Sequence, residues 1–318
     1  MQATGIYFTG LHQVALRSFE LPDPDLFEVQ IALRASAICA MDQAYYNGII
    51  SVAGGYPFLS GHEGVGVVQK VGARVTGLRE GDLVAAIGGG LFGQYANLHQ
   101  SRVARLRPDI TDYQNWIAEP VMCVMNGLQW SQIVPGDRAA VVGTGYMGLL
   151  LVQGLVHALT SEVVAIDVDP RRLELAARFG ADRTINPTTA EGQAALQELA
   201  ADPVDLLIEA AGVQSGFDLH YDILRRAGRL TIFAAHRDAD RLVSLAAWHS
   251  RGYQVYNASP SITPEFHKLL PPTVRMMERG VFDMRPLISH VRPAAEAQEL
   301  FDIAANHRDG YIKGVLLW

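Results

Sequence analysis

Two groups of residues in the chain have types and spacing suited to chemistry. The first is contiguous: Gly143-Thr144-Gly145-Tyr146-Met147-Gly148, a GxGxxG run. It follows the apolar stretch AAVVG directly and opens the helical stretch YMGLLLVQGLV. In such a run the first glycine permits a tight turn and the second lets the backbone approach a pyrophosphate. The third lets helix and strand pack closely. The helix start then offers free N–H groups and a positive dipole end to phosphates. Gly143, Gly145, Tyr146, Met147 and Gly148 are therefore the expected cofactor-binding set. Asp167 ends the next apolar stretch. An acid there accepts hydrogen bonds from an adenosine ribose diol and repels a 2′-phosphate, so NAD is expected over NADP. Arg171 and Arg172 pull the other way, since either can meet such a phosphate. The bland alternatives are a glycine turn in an α/β domain with no nucleotide and, separately, Asp167 as a plain strand-end acid.

The second group is scattered: Cys39, His62, Glu63 and Glu119. A thiolate, an imidazole and a carboxylate are the ligand types of a catalytic zinc, which leaves its fourth position open. Each also has a bland reading. Cys39, in ASAICAM, reads equally as a small core residue. His62 and Glu63, in SGHEGVGVV, read as a turn residue and a solvated acid, and Glu119 as an acid near a helix start. Spacing alone does not decide between the two.

The elements that must carry these residues change character along the chain. Up to about residue 120 the sequence reads as short strands between turns: Val29–Ser36, Gly64–Val71 and Asp82–Ile87, bounded by clusters such as LPDPD and AGGYP. An antiparallel β-domain is expected there. After Pro135-Gly136-Asp137 strands and helices alternate: strands at Arg138–Gly143, Glu162–Asp167, Asp182–Asn186, Asp205–Ala210, Arg229–Ala235 and Tyr253–Ala258. Asp169 is placed to cap a helix with Pro170 in its first turn, and Gly180 to end it. Alternation of this kind predicts a parallel sheet covered on both faces. Helices at Pro264–Arg279 and Ala294–Ala305 and a strand at Ile312–Leu317 follow.

Length and composition bound the rest. The 318 residues suggest about two domains at roughly 150 residues each. The chain is 49% hydrophobic, which excludes wholesale disorder. Its net charge is −7 and no Lys/Arg run occurs, which argues against general nucleic-acid binding. With two cysteines, Cys39 and Cys123, a disulfide framework is excluded. The start MQATGIYFTG lacks signal-peptide character, and the longest apolar stretch, Tyr146–Leu159, is too short to span a bilayer. A soluble cytoplasmic protein is the expectation.

The ordered set of motifs resembles the medium-chain zinc-dependent alcohol/polyol dehydrogenases of the sorbitol and threonine dehydrogenase type. CAMDQAYYNG (39–48) resembles the family's Cys-Gly-Ser/Thr-Asp-x-His-Tyr segment, and GHEGVGVVQKVG (61–72) its Gly-His-Glu signature. GDLV (81–84), AEPVMCVMNG (118–127), PGDRAAVVGTGYMG and GYIKGVLLW (310–318) follow in the family's order. The resemblance implies an α/β fold: a Rossmann doubly wound parallel sheet plus a mainly antiparallel, GroES-like catalytic domain. It implies a discontinuous catalytic domain, 1–122 and 260–318, and an NAD-binding domain, 123–259. It implies one catalytic zinc on Cys39, His62 and Glu119, with Glu63 an exchangeable ligand or supporting carboxylate. Cys123 would lie near the nicotinamide, Tyr45 and Phe92 at the pocket wall, and Arg172 beside the adenosine ribose. A homodimer or homotetramer is expected, with QVYNAS (254–259) the candidate edge.

The chain departs from that family in two places. Met41 stands where the family has the Ser or Thr that begins its proton relay, and Ala44 where some members carry a relay histidine. Either a zinc-bound water with Glu63, or another residue such as Tyr45, would then take the proton, or alcohol dehydrogenase activity would be lost. The run between Val84 and Tyr95, AAIGGGLFGQ, has no cysteine, so the four-cysteine structural zinc lobe is absent. The expected function is hydride transfer between NAD and a secondary alcohol of a polyol, sugar derivative or similar small molecule. Two alternatives stay open: a zinc-free NAD(P)H-dependent quinone or enone reductase, and a non-catalytic dinucleotide-binding redox sensor. Trp248, Tyr253 and Asn257 read as pocket or interface residues, or equally as core and edge-strand residues. His236, after LTIFAA, reads either as a neighbour of the nicotinamide or as structural.

Overall fold

The computed structural model describes residues 1–236 and 239–318. The chain divides into two compact units, Met1–Met122 with His267–Trp318, and Cys123–Phe266.

The first unit begins with β1 (Gln2–Gly10), β2 (Gln13–Glu20), β3 (Glu28–Ala37) and a short helix α1 (Ala40–Tyr46). It continues through β4 (Phe58–Leu59), β5 (Glu63–Val71), β6 (Leu83–Ile87), β7 (Tyr95–His99) and β8 (Val103–Arg105). Helix α2 (Glu119–Trp130) runs across the division into the second unit.

The second unit alternates strand and helix. Its strands are β9 (Arg138–Val142), β10 (Glu162–Ile166), β11 (Arg183–Ile185), β12 (Val204–Glu209), β13 (Leu224–Ile232) and β14 (Gln254–Asn257). Between them lie α3 (Tyr146–Val156), α4 (Pro170–Arg178), α5 (Ala190–Ala201), α6 (Gln214–Asp218), α7 (His220–Ile223) and α8 (Leu245–Arg251). The chain then returns to the first unit with α9 (Leu270–Glu278), β15 (His290–Pro293), α10 (Ala297–Ala305) and β16 (Gly314–Leu317).

In the first unit, β2, β1 and β4 form an antiparallel three-stranded sheet. A seven-stranded sheet runs β15-β16-β3-β5-β6-β8, with β7 also paired to β3. Its core is aromatic on one side: Phe8 meets Tyr45, Phe58 and Phe301, and Phe301 meets Tyr46 and Phe92. Phe92, expected at a pocket wall, is instead fully buried in that cluster.

In the second unit, six parallel strands run β11-β10-β9-β12-β13-β14. Val141, Val164, Leu207 and Ile208 are inaccessible, which is what parallel strands covered on both faces require. The helix after β10 starts as the sequence predicts. The Asp169 carboxylate accepts from the Arg171 N–H at 2.9 Å, with Pro170 in the first turn. The stretch expected as one helix at 264–279 begins instead with a 3-10 turn at Phe266–Leu269. Pro271 and Pro272 then occupy the opening turn of α9, the one place where a missing N–H costs a helix nothing. No helix among the described residues is long and apolar enough to cross a membrane.

Candidate metal cluster and dinucleotide loop

Strand β3 is the scaffold of the first site. It pairs with β5 on one side and β16 on the other, Ser36 facing Gly64 and Ala37 facing Val315. β3 runs out into Cys39, β5 begins at Glu63 directly after His62, and β16 begins just after Lys313. The Ile38 N–H donates to the Gly314 carbonyl at 3.0 Å, which locks that end. One strand end therefore brings together three segments remote in sequence. Gly61 makes the approach to His62 possible. Its φ is +86°, and a Cβ there would lie 2.4 Å from the Phe92 nitrogen.

The ligand atoms of Cys39, His62 and Glu63 all lie within 4.8 Å of one another. Glu63 is 1% exposed. One of its oxygens is 3.9 Å from His62 Nε2, and the other is 2.6 Å from the Lys313 ammonium, itself 5% exposed. A carboxylate so buried needs a paired cation. Glu119, the first residue of α2, is not part of this cluster.

Asp42, fully buried in α1, ties the loop down. Its carboxylate accepts from the Cys39 N–H at 2.9 Å and from the Ser60 hydroxyl at 3.0 Å. Burial pushes the Asp42 carboxyl up, opposed by the nearby His62. Burial and the Glu63 carboxylate push the Cys39 thiol up. Burial works to lower the His62 pKa. Its hydrogen bond to the Cys39 side chain and the charges of Cys39, Asp42 and Glu63 outweigh that and hold it at about 11. The protons are thus kept inside the cluster, where a metal would displace them. The donor set fits zinc: a soft thiol, an imidazole and a carboxylate converge on one point, Glu63 buried and Cys39 and His62 half-buried.

Asp42, Ser60 and Lys313 were not among the residues singled out from sequence. Lys313 did carry a signal, as the one charged residue in the apolar ending YIKGVLLW. Tyr45, also in α1, is half-buried, its ring edge-on to Phe8 and Phe58.

The second site is the turn between β9 and α3. Gly143 has φ +91°, and a Cβ on it would lie 2.5 Å from the Ala211 nitrogen. A Cβ on Gly148 would lie 1.9 Å from the Gly143 carbonyl oxygen. A Cβ on Gly145 would meet nothing within 4 Å. The outer two glycines are thus required by the chain itself, while the middle one faces open space. The Thr144 hydroxyl is buried and has no hydrogen-bond partner among the described residues. This combination fits a pyrophosphate cradle at a helix N-terminus.

Asp167 stands beside it, 8% exposed. One of its oxygens accepts from the Thr144 N–H at 2.6 Å, the other from the Asp169 N–H at 2.9 Å. Arg172 lies 3.9 Å away, and Arg171 turns instead to Asp169. Tyr146 and Met147 open α3, and Cys123 lies half-buried on α2, one turn beyond Glu119.

Strand order reverses between β9 and β12, since β10 lies to one side of β9 and β12 to the other. Glu209 ends β12 and is fully buried. One of its oxygens accepts from the Ala211 and Gly212 N–H groups at 2.9 and 2.7 Å. The other is 2.8 Å from His236 Nε2. Burial pushes the Glu209 carboxyl up, and the Gly212 N–H and His236 oppose it. Sequence reasoning named His236 but not its partner. Trp248 and Tyr253 are packing residues of this unit: the Trp248 Nε1 donates to His220 Nε2 at 2.8 Å and the Tyr253 hydroxyl to the His220 carbonyl at 3.0 Å. Asn257 lies on β14, which is an edge of the sheet.

Two family models match the chain, together over more than half of its residues. One describes the alcohol dehydrogenase GroES-like domain, at residues 25–108, and the other a zinc-binding dehydrogenase, at residues 147–270. D-arabinitol dehydrogenase 1 of Uromyces fabae is 24% identical over 96% of this chain and 95% of its own length. Among solved structures, an Escherichia coli oxidoreductase/dehydrogenase of unknown specificity superimposes with a TM-score of 0.89, at 22% identity, covering 100% of this chain and 99% of the other. The 2R,3R-butanediol dehydrogenase of Bacillus subtilis gives 0.86 at 20% identity, covering 99% of each chain.

Proposed function

This chain belongs to the medium-chain zinc-type alcohol and polyol dehydrogenases, and on that premise we propose that it transfers a hydride between NAD and a secondary alcohol. The substrate class is a polyol, a sugar derivative or a similar polar small molecule. The observation that carries this reading is the convergence of Cys39, His62 and Glu63 within 4.8 Å. Cys39, His62 and Glu119 are the proposed zinc ligands, Glu119 on the family resemblance alone since it lies outside the Cys39–His62–Glu63 cluster, with Glu63 the exchangeable or supporting carboxylate.

Zinc bound there supplies a Lewis acid for the substrate oxygen, and NAD supplies the hydride acceptor. The chain's own residues do the rest. Asp42 fixes the Cys39 turn through the backbone N–H, and the Lys313 ammonium pairs with the buried Glu63 side chain. Met41 and Ala44 cannot move a proton, so Glu63, or a relay through a residue such as Tyr45, takes that role. Gly143, Gly145, Tyr146, Met147 and Gly148 cradle the pyrophosphate. Asp167, with Arg172 beside it, takes the adenosine ribose diol, which favours NAD, and Cys123 lies towards the nicotinamide. A homodimer or homotetramer formed through the β14 edge completes the reading.

Metal analysis of protein expressed with ample zinc tests it. About one zinc per chain is expected, since a convergent thiol, imidazole and carboxylate bind zinc tightly. The Cys39→Ser variant should lose most of the metal and turnover while binding NADH as the unaltered protein does. Metal below about half an equivalent, far short of full loading for such a site, overturns the reading.

A further inference from the structure

The Glu209–His236 pair has no part in the reading above. It lies beside the dinucleotide loop: Glu209 faces Val142 across the β9–β12 pairing, and Ala211, which donates to its carboxylate, is the residue packed against Gly143. His236 follows β13, the next strand in the sheet. Its backbone is left-handed, φ +42°, a conformation costly for a residue with a Cβ and usually left to glycine.

The ring is held on two sides, by the Glu209 carboxylate at Nε2 and edge-to-face by Phe217, with centroids 6.1 Å apart. Nδ1 is buried and reaches no hydrogen-bond partner among the described residues. A strained backbone, a ring clamped by a buried acid and an unused polar atom are more than packing requires.

Topology says which ligand group Nδ1 would meet. Ligands of open parallel sheets lie outside the carboxyl ends of the strands, at the point where strand order reverses. The pyrophosphate cradle follows β9, and Asp167, the acid suited to the adenosine ribose, follows β10 on one side of it. A dinucleotide laid across the reversal therefore carries its other half past the ends of β12 and β13.

We propose that His236, oriented by Glu209, is a positioning residue that hydrogen-bonds the nicotinamide–ribose half of the bound dinucleotide through Nδ1. The assignment rests on the dinucleotide site proposed above and adds to it a contact specific to one half of the cofactor.

Binding titrations with two probes, NADH and AMP, test it without turnover. AMP holds only the adenosine half. In His236→Asn, whose residue tolerates a left-handed backbone, NADH should bind roughly five- to tenfold more weakly, the loss of one hydrogen bond. AMP should bind unchanged. Glu209→Gln keeps an acceptor for the ring and should weaken NADH less than His236→Asn does. Equal affinity for NADH in both variants and the unaltered protein overturns the proposal. So does a proportional loss of NADH and AMP, the mark of a merely structural role. If the unaltered protein binds neither probe, the proposal falls together with the dinucleotide site itself.

Discussion

The metal cluster and the dinucleotide loop reach a site by opposite means. The cluster is made of side chains: Cys39, His62, Glu63 and Lys313 come from three segments remote in sequence, with the Glu63–Lys313 ion pair buried beside the half-buried Cys39 and His62. The loop is made of backbone. Its six residues are contiguous, and what they offer is N–H groups and the space where side chains are missing. A side-chain site depends on mutual charge compensation, whereas a backbone site depends on steric clearance. Substitutions should therefore damage them in different ways.

The largest effect belongs to the charges. Lys313→Met leaves the Glu63 carboxylate buried without its cation and should lower stability by about 3–5 kcal/mol in urea unfolding. Adding Glu63→Leu to that variant should restore most of the loss. A loss below about 1 kcal/mol, the scale of an exposed pair, would show that Glu63 does not need this partner.

In the loop the expected losses are steric. Gly148→Ala pushes a methyl group to 1.9 Å from a backbone oxygen. Overpacking of that kind should cost about 1–3 kcal/mol of stability and NADH binding with it. An unaltered urea midpoint would refute the close packing of α3 on the loop.

His220 tests whether the second unit is free of charge-linked stability. It is fully buried. Its Nδ1 side meets the Phe217 carbonyl at 2.6 Å and Nε2 accepts from Trp248. Burial holds its pKa below the ordinary value, while the Phe217 carbonyl, Asp218 and Asp222 act to raise it and Arg251 to lower it. The unfolded chain therefore binds this proton more readily than the folded one. Stability should be undiminished above about pH 6.5 and fall as pH drops below it, by at most about 1.4 kcal/mol per pH unit for one proton. Urea midpoints from pH 7.5 to 5.5 measure it. A slope the same in His220→Gln would assign the effect elsewhere.

The smallest effect on stability is the sharpest on the comparison. Gly145→Ala adds a methyl group into open space at a helix N-cap and should cost less than about 1 kcal/mol. NADH affinity should still fall at least about tenfold, because the methyl group occupies the pyrophosphate's approach. Unchanged NADH affinity would break the account of the loop as a cradle.

The same contrast explains what could be read from sequence. The loop was legible because turn, approach and packing are each written in one glycine at fixed spacing, and Asp167 follows one strand later. The parallel sheet was legible for a related reason: strand and helix alternate along the chain, and Asp169, Pro170 and Gly180 punctuate them. In the first unit the residue types of the cluster were visible, but what Glu63 pairs with was not. Its partnership with Lys313 exists only because β3 accepts β5 on one edge and β16 on the other, and no local spacing encodes that register. The Glu209–His236 pair was hidden likewise, since its members are joined across neighbouring parallel strands.

The return of the chain to the first unit has a consequence for biosynthesis. Cys123–Phe266 is one uninterrupted stretch, so all of its strands have been made before the chain returns to the first unit. The unit begun before it is still incomplete then: β3 lacks a neighbour and Glu63 lacks its cation until the segment carrying Lys313 has been made. The part translated first is thus the part completed last, and during that interval an unfinished sheet edge is open to other chains.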